Sequence, residues 1–224
     1  MTALSIIVPV LDEAAGIEAG LQALAPLRAA GHELIVVDGG SRDATAALAA
    51  PLADRVLASE RGRAHQMNAG AAAARGEVLL FLHADTLLPP QADAHVLQAV
   101  AGGAGWGRFD VRITGRSRWL PVVAQLMNWR SRLSGIATGD QAIFVRADLF
   151  RRLGGYAPQP LMEDIELCRR LRQLSRPACL KERVLTSGRR WETRGVWRTI
   201  VLMWRLRWRY WLGETPEALA RAYR

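Results

Sequence analysis

Short apolar runs alternate with stretches of helical periodicity along the first half of this chain. Leu4 to Val10 reads as a buried strand closed by Pro9. Ile17 to Leu27 then carries apolar positions at helical spacing after the acidic corner Asp12-Glu13. Glu33 to Val37 is a second strand that stops at Asp38. Ser41 reads as a helix cap, with Asp43 near the first turn of an alanine-rich helix. Arg55 to Ala58 is a short strand, Ala64 to Ala74 a helix, and Glu77 to Leu82 the strand that delivers Asp85. Strand and helix in alternation, with nearly continuous apolar strands, describe a parallel, doubly wound sheet covered on both faces. Ligands of such sheets sit beyond the carboxyl ends of the strands, where Asp38 and Asp85 both fall.

Past Asp85 the pattern is mixed. Asp93 to Val100 is helical, and Trp106 to Thr114 reads as an edge strand with Arg108, Asp110 and Arg112 on one face. Trp119 to Leu133 follows as an amphipathic helix, Gln141 to Val145 as a short strand and Ala147 to Leu153 as a turn of helix. Glu163 to Leu174 is a further helix and Ala178 to Leu185 a last strand. No repeat and no linker divides the chain, whose 224 residues suit one large domain, with or without a small appendage.

Composition narrows the class. Half of the residues are hydrophobic, which supplies a sizeable core. The net charge of +9 is almost all arginine, since Lys181 is the only lysine; such a surface favours phosphate, anionic lipid or nucleic acid. Two cysteines, Cys168 and Cys179, make neither a disulfide framework nor a metal knuckle and read as buried thiols. Ser5 to Val10 is too short for the apolar core of a secretion signal, which argues for a cytoplasmic active site. No uncharged apolar run is long enough to span a bilayer.

The acids and arginines at loop positions carry the candidate chemistry. Asp38 precedes Gly39-Gly40-Ser41, where glycine lets a ligand approach the backbone and a carboxylate accepts hydrogen bonds from a base or ribose. In His83-Ala84-Asp85 the terminal acid suits a hard divalent cation that takes its other oxygens from a diphosphate. His83 reads as a borderline ligand or as a contact to phosphate or sugar. Glu163-Asp164 opens a helix, where acids also serve the helix dipole; one of the two reads as a general base on a hydroxyl and the other as a brace. Arg189 and Arg190, after Ser187-Gly188, suit bidentate contacts to a diphosphate. Arg63, within Arg61 to Asn68, is a further phosphate or sugar contact.

These pieces together resemble the inverting family 2 glycosyltransferases of the GT-A fold, and more closely their small bacterial members associated with arsenosugar biosynthesis. The matching segments are Ser5 to Glu13, Val36 to Ser41, Gly62 to Gly70, Phe81 to Thr86, Gly139-Asp140-Gln141 and Glu163-Asp164. The resemblance implies a single GT-A-like, Rossmann-related α/β domain with a mainly parallel mixed sheet flanked by helices. It would span residues 1–190, with a nucleotide-binding half to about residue 86 and an acceptor half beyond, followed by a helical extension over 191–224. By the same resemblance Pro9, Glu13 and Asp38 line the nucleotide pocket and Asp85 holds Mn2+ or Mg2+. His83 replaces the first acid of the family's metal motif, Asp164 is the catalytic base, and Asp140 contacts sugar or acceptor. The implied reaction moves a hexosyl group from a UDP- or GDP-sugar to the hydroxyl of a small or lipid-linked acceptor, with inversion.

Trp204, Trp208 and Trp211 recur along the extension and join Trp197, Ile200 and Val201 in one apolar stripe, broadened by Leu202, Met203 and Leu206. Trp119 to Trp129, flanked by Arg116, Arg118, Arg130 and Arg132, has similar character. Two readings stay open: the helix packs on its own enzyme, or it meets an anionic membrane surface or a second copy in a homodimer. The first places the chain in the cytoplasm and the second at the inner face of the membrane. Among rival functions, a nucleotidyltransferase lacks its basic phosphate loop after the first strand, and a dehydrogenase lacks Gly-x-Gly-x-x-Gly there. A non-catalytic membrane- or nucleic-acid-binding module fits the charge, but the acids at Asp38, Asp85 and Glu163-Asp164 would repel a polyanion, so no nucleic acid is expected.

Overall fold

The computed structural model describes residues 3–223, so residues 1, 2 and 224 of the two expected segments lie outside the described residues. One mixed sheet of eight strands organises the chain, in the order β3-β2-β1-β4-β7-β6-β8-β5. Its first half is parallel: β1 (Leu4–Val10) lies between β2 (Glu33–Asp38) and β4 (Val78–Phe81), with β3 (Arg55–Ala58) outside β2. All seven residues of β1 are buried, as a strand covered on both faces requires. Ile6, Val8 and Val10 face one cluster, with Ile17 and Leu21 of α1 (Ile17–Gln22) and Val96 of α5 (Ala92–Ala101). Ile7 faces the other, with Met67 of α4 (Arg63–Ala73), Phe150 of α7 (Ala147–Arg152) and Leu171 of α8 (Glu163–Leu174). Gly70 lets α4 sit this close, since a Cβ there would lie 2.5 Å from Ile7 Cγ2.

The second half of the sheet reverses direction. β7 (Phe144–Arg146) runs antiparallel to both β4 and β6 (Trp106–Thr114). β8 (Ala178–Ser187) runs parallel to β6 and carries the two-residue β5 (Thr86–Leu87) on its far side. The sheet is therefore mixed, as the resemblance implied, and not parallel throughout as the alternation alone suggested.

Several local expectations are corrected. The helix expected over residues 17–27 is broken into α1 and α2 (Ala25–Ala29), because Pro26 has no N–H for a continuous ladder and restrains Ala25 before it. Ser41 is not a helix cap: α3 spans Thr45–Ala49 behind Ala44, and the Asp43 carboxylate accepts the Thr45 N–H at 3.0 Å. β6 is an interior strand and not an edge, with Arg108 fully buried and bound to Asp110 and to the Asn128 carbonyl. Residues 139–141 form a 3₁₀ turn, so the strand expected from Gln141 begins only at Phe144. Cys168 is buried but Cys179 is only partly so.

The expected boundary at residue 190 falls inside α9 (Arg189–Arg194), which is followed by α10 (Val196–Trp211) and α11 (Pro216–Tyr223). Leu206 is buried against Met162 and Leu219, and Ile200 packs on the main core, so neither belongs to the outward stripe. Among the described residues, no helix is long and apolar enough to cross a membrane.

Candidate active site

A cavity of about 600 Å³ opens at the carboxyl ends of β1 and β4, where a sheet of this topology leaves a crevice. Pro9 and Glu13 line it from the end of β1 and the following loop, and His83, Ala84 and Asp85 from the segment after β4. Arg63 enters from the first turn of α4, Asp140 from the 3₁₀ turn, and Arg189 and Arg190 from α9.

Backbone ties explain why these side chains converge. Asp12 sits in the left-handed region at φ 53°, a conformation aspartate tolerates, and its carboxylate accepts the Arg42 N–H at 2.7 Å. The neighbouring Glu13 N–H donates to the Thr45 hydroxyl at 2.8 Å. These ties set the Glu13 carboxylate on the cavity wall, 3.6 Å from the Arg189 guanidinium across the opening.

Opposite, the 3₁₀ turn is held by a capping box between Thr138 and Gln141, whose amide donates to the Ser131 hydroxyl of α6 (Leu120–Ser134) at 3.0 Å. Gly139 there packs directly on the His83 imidazole: a Cβ would fall 2.3 Å from its Nε2. His83 Nδ1 lies 3.2 Å from an Asp140 oxygen, and the Gly139 N–H donates to Asp164 at 3.0 Å. One short turn thus links the histidine of one motif to the aspartate of another. Burial raises the Asp140 pKa, but the hydrogen bond and charge of His83, with Arg63 and Arg190 beyond, overcome it and pull the carboxyl down to about 2.

Glu163 and Asp164 open α8 and are not among the residues lining the cavity. Glu163 is buried, 3.9 Å from Arg63, and its carboxyl is raised by burial and by the charge of Asp164. Asp164 accepts the N–H groups of Gly139 and Ile165, which leaves lone pairs free on a carboxylate. Asp38 and Gly39 also stand beside the cavity and not among its lining. The Asp38 carboxylate accepts the N–H of Gly40 and the N–H and hydroxyl of Ser41. Gly39 is packed on the Gln66 amide, where a Cβ would lie 3.0 Å from its carbon.

Among the described residues no three His, Cys, Asp or Glu side chains gather as a self-sufficient metal cluster. Asp85 lines the cavity without a cationic partner among the described residues, in a wall otherwise rich in arginine. A single such carboxylate fits a magnesium-type ion that takes its remaining ligands from water and a diphosphate, and it does not fit an all-protein metal cage.

The glycosyl transferase family 2 model matches residues 5–150, from β1 through the 3₁₀ turn to α7. The chain belongs to this family. The family 2 chain is 34% identical over 169 residues to a PGL/p-HBAD biosynthesis glycosyltransferase of Mycobacterium bovis, covering 68% of this chain and 62% of that one. It is 29% identical over 157 residues to the undecaprenyl-phosphate 4-deoxy-4-formamido-L-arabinose transferase of Pseudomonas paraeruginosa, covering 64% and 46%. It therefore spans less than two thirds of the length of the curated relatives it matches. Glucosyl-3-phosphoglycerate synthase from Mycobacterium tuberculosis, solved with Mn2+, UDP and glucosyl-3-phosphoglycerate, superposes with a TM-score of 0.61 at 23% identity, over 83% of this chain and 71% of that one. That likeness establishes the GT-A fold.

The family 2 motifs did not disclose the part played by the extension. Trp191, Arg194 and Tyr223 line the same cavity, and the Arg190 and Arg194 guanidiniums each stand 5.5 Å from the Tyr223 ring. Nothing in the periodicity of α11 marks its last tyrosine as a cleft residue. Arg61, which also lines the cavity, was legible only as part of the polar run before α4.

Proposed function

We propose that this chain is a metal-dependent inverting glycosyltransferase that takes a hexosyl group from a UDP- or GDP-sugar. The observation that carries the reading is the cavity itself, where Asp85, the His83–Asp140 pair and the guanidiniums of Arg63, Arg189 and Arg190 face one space of about 600 Å³. Three cationic side chains around one unpaired carboxylate suit a diphosphate bound with a divalent ion, the species present with UDP in the glucosyl-3-phosphoglycerate synthase structure.

In this reading Pro9 and Glu13 border the base and ribose, with Asp38 and Gly39 shaping the wall behind them. Asp85 would hold Mg2+ or Mn2+, which supplies Lewis-acid neutralisation of the departing diphosphate. Arg189 and Arg190 bind the diphosphate oxygens, and His83 orients the phosphate or sugar while Asp140 fixes its ring. Asp164 removes the proton from the acceptor hydroxyl as that oxygen bonds to the anomeric carbon. The bond from that carbon to the diphosphate breaks on the opposite face, and configuration inverts. Glu163 braces Arg63 beside the transferred sugar. The donor side is supported by residues 1–86 and the acceptor side by the later half.

The acceptor is small or lipid-linked, and the undecaprenyl-phosphate transferase among the relatives supports the second choice. The order and spacing of the motifs support the arsenosugar-associated subgroup as part of the same proposal. A panel of UDP- and GDP-hexoses, assayed for Mn2+-dependent release of nucleoside diphosphate, tests it. One donor is expected to turn over and to do so only with the cation. Release at the same rate in the presence of a chelator would contradict the proposed role of Asp85.

A further inference from the structure

α10 turns its apolar side outward. Trp197, Val201, Trp204, Trp208 and Trp211 are 60, 56, 71, 61 and 73% exposed, and they recur at spacings of four, three, four and three. That is one stripe of a 3.6-residue helix, facing away from the core that holds Leu206. α6 repeats the arrangement: Val122, Leu126, Trp129 and Leu133 are each about half exposed or more, at spacings of four, three and four. The stripes meet where the Trp119 and Trp197 rings pack with centroids 5.1 Å apart. The five most exposed tryptophans alone present on the order of 500–800 Å² to solvent, taking about 150–250 Å² for each ring. A soluble monomer's largest apolar patch is typically about 300–600 Å², and here the aliphatic residues add to the rings.

Charge identifies what covers this face. Residues 116–134 and 196–212 contain eight arginines and no acidic residue. Arg132 and Arg209 are paired to Asp110 and Glu214. The other six have no salt-bridge partner among the described residues. Arg198 and Arg205 line a shallow groove of about 350 Å³ with Trp197, Val201 and Leu202, and the Arg118 guanidinium stands 5.6 Å from the Trp119 ring. Arg130, beside Trp129, has its Nε and one Nη buried without a hydrogen-bond partner. Arg130 and Arg207 therefore face inward, toward Asp164 and Asp140, and the four exposed unpaired arginines, Arg116, Arg118, Arg198 and Arg205, are the ones that can meet a phosphate ester. A second copy of this chain would instead bring the same exposed, unpaired arginines face to face.

We propose that α6 and α10 form the docking face of this protein for an anionic lipid bilayer, with the tryptophans in the headgroup layer and the exposed arginines Arg116, Arg118, Arg198 and Arg205 on lipid phosphates. At 16 residues α10 is about 24 Å long, too short and too charged to cross, and suited to lie in the interface plane. The proposal does not depend on the donor chemistry above.

Flotation of the full chain with vesicles tests it. Binding is expected to phosphatidylcholine vesicles containing phosphatidylglycerol, with a blue shift of tryptophan emission and release by salt, and only weakly to phosphatidylcholine alone. The double change Trp204→Ser, Trp208→Ser touches exposed rings only, so the fold is kept and vesicle binding falls at least about tenfold. The double change Arg198→Gln, Arg205→Gln should lower affinity for the anionic vesicles about thirtyfold, at roughly fivefold per arginine, and leave the weak neutral binding in place. Equal binding to both vesicle types, or unchanged binding by the tryptophan variant, overturns the proposal. So does a dimer that the tryptophan variant dissociates while the wild type ignores vesicles.

Discussion

Gly139 is where the two halves of the proposed chemistry touch, and Gly139→Ala tests that contact. The added methyl would lie 2.3 Å from His83 Nε2 and 2.5 Å from its Cε1, about an ångström inside ordinary van der Waals contact. Either the ring swings away and gives up its 3.2 Å contact to Asp140, or the 3₁₀ turn retreats and gives up the 3.0 Å bond from Gly139 to Asp164. Each contact involves a charged partner, and such a hydrogen bond contributes about 1.5–3 kcal/mol. Losing one should lower kcat/KM about 10- to 150-fold, at about 1.4 kcal/mol per factor of ten. Steady-state transfer with the preferred donor reads this directly. Gly16→Ala is the control, because nothing lies within 4 Å of a Cβ there and its φ is −132°. If Gly139→Ala turned over within about threefold of wild type, the close packing of His83 on the turn would not matter to catalysis and the reasoning would fail.

Other outcomes follow from the same geometry. Asp164→Asn should lower kcat about 10²- to 10⁴-fold, the usual contribution of a general base, and leave donor affinity unchanged by calorimetry; normal transfer would pass the role to another acid. The depressed Asp140 carboxyl stabilises the fold above the ordinary carboxylate range, and that gain is lost as pH falls from about 4 to about 2. Its side chain is 38% exposed, so the stability gap between wild type and Asp140→Asn in urea should be at most about 1 kcal/mol near pH 5 and close at about pH 2. Burial pushes the Cys168 thiol up to about 12, whereas Cys179 is partly accessible. A thiol reagent should therefore modify one cysteine in the native protein and both after unfolding.

The strands that deliver the site were legible because burial on both faces writes itself as continuous apolar sequence, as in Leu4–Val10 and Val78–Phe81. Helix α8 was legible from Glu163 to Leu174 because its apolar positions keep one face. The topology of β6 was not. Its apolar positions alternate with Arg108 and Asp110, which looks like a solvated edge, yet both charges are paired within the fold. Local pattern records exposure and cannot record a partner that is distant in sequence. The same limit applies to the site: Asp85 and Arg189 were visible as loop chemistry, while Tyr223 reaches the cavity only because α10 and α11 fold back over it. Asp38 carries a second role that the sequence did not mark, since its carboxylate also ties down its own loop through Gly40 and Ser41.

Calorimetric titration of wild type and Asp85→Asn with a UDP- or GDP-hexose, each with and without Mn2+, bears most directly on the claim that this cleft grips a nucleotide diphosphate through a cation. Wild type should bind one donor at least about tenfold more tightly with Mn2+, and Asp85→Asn should show the same weak affinity in both conditions. Equal manganese enhancement in the two proteins would contradict the account.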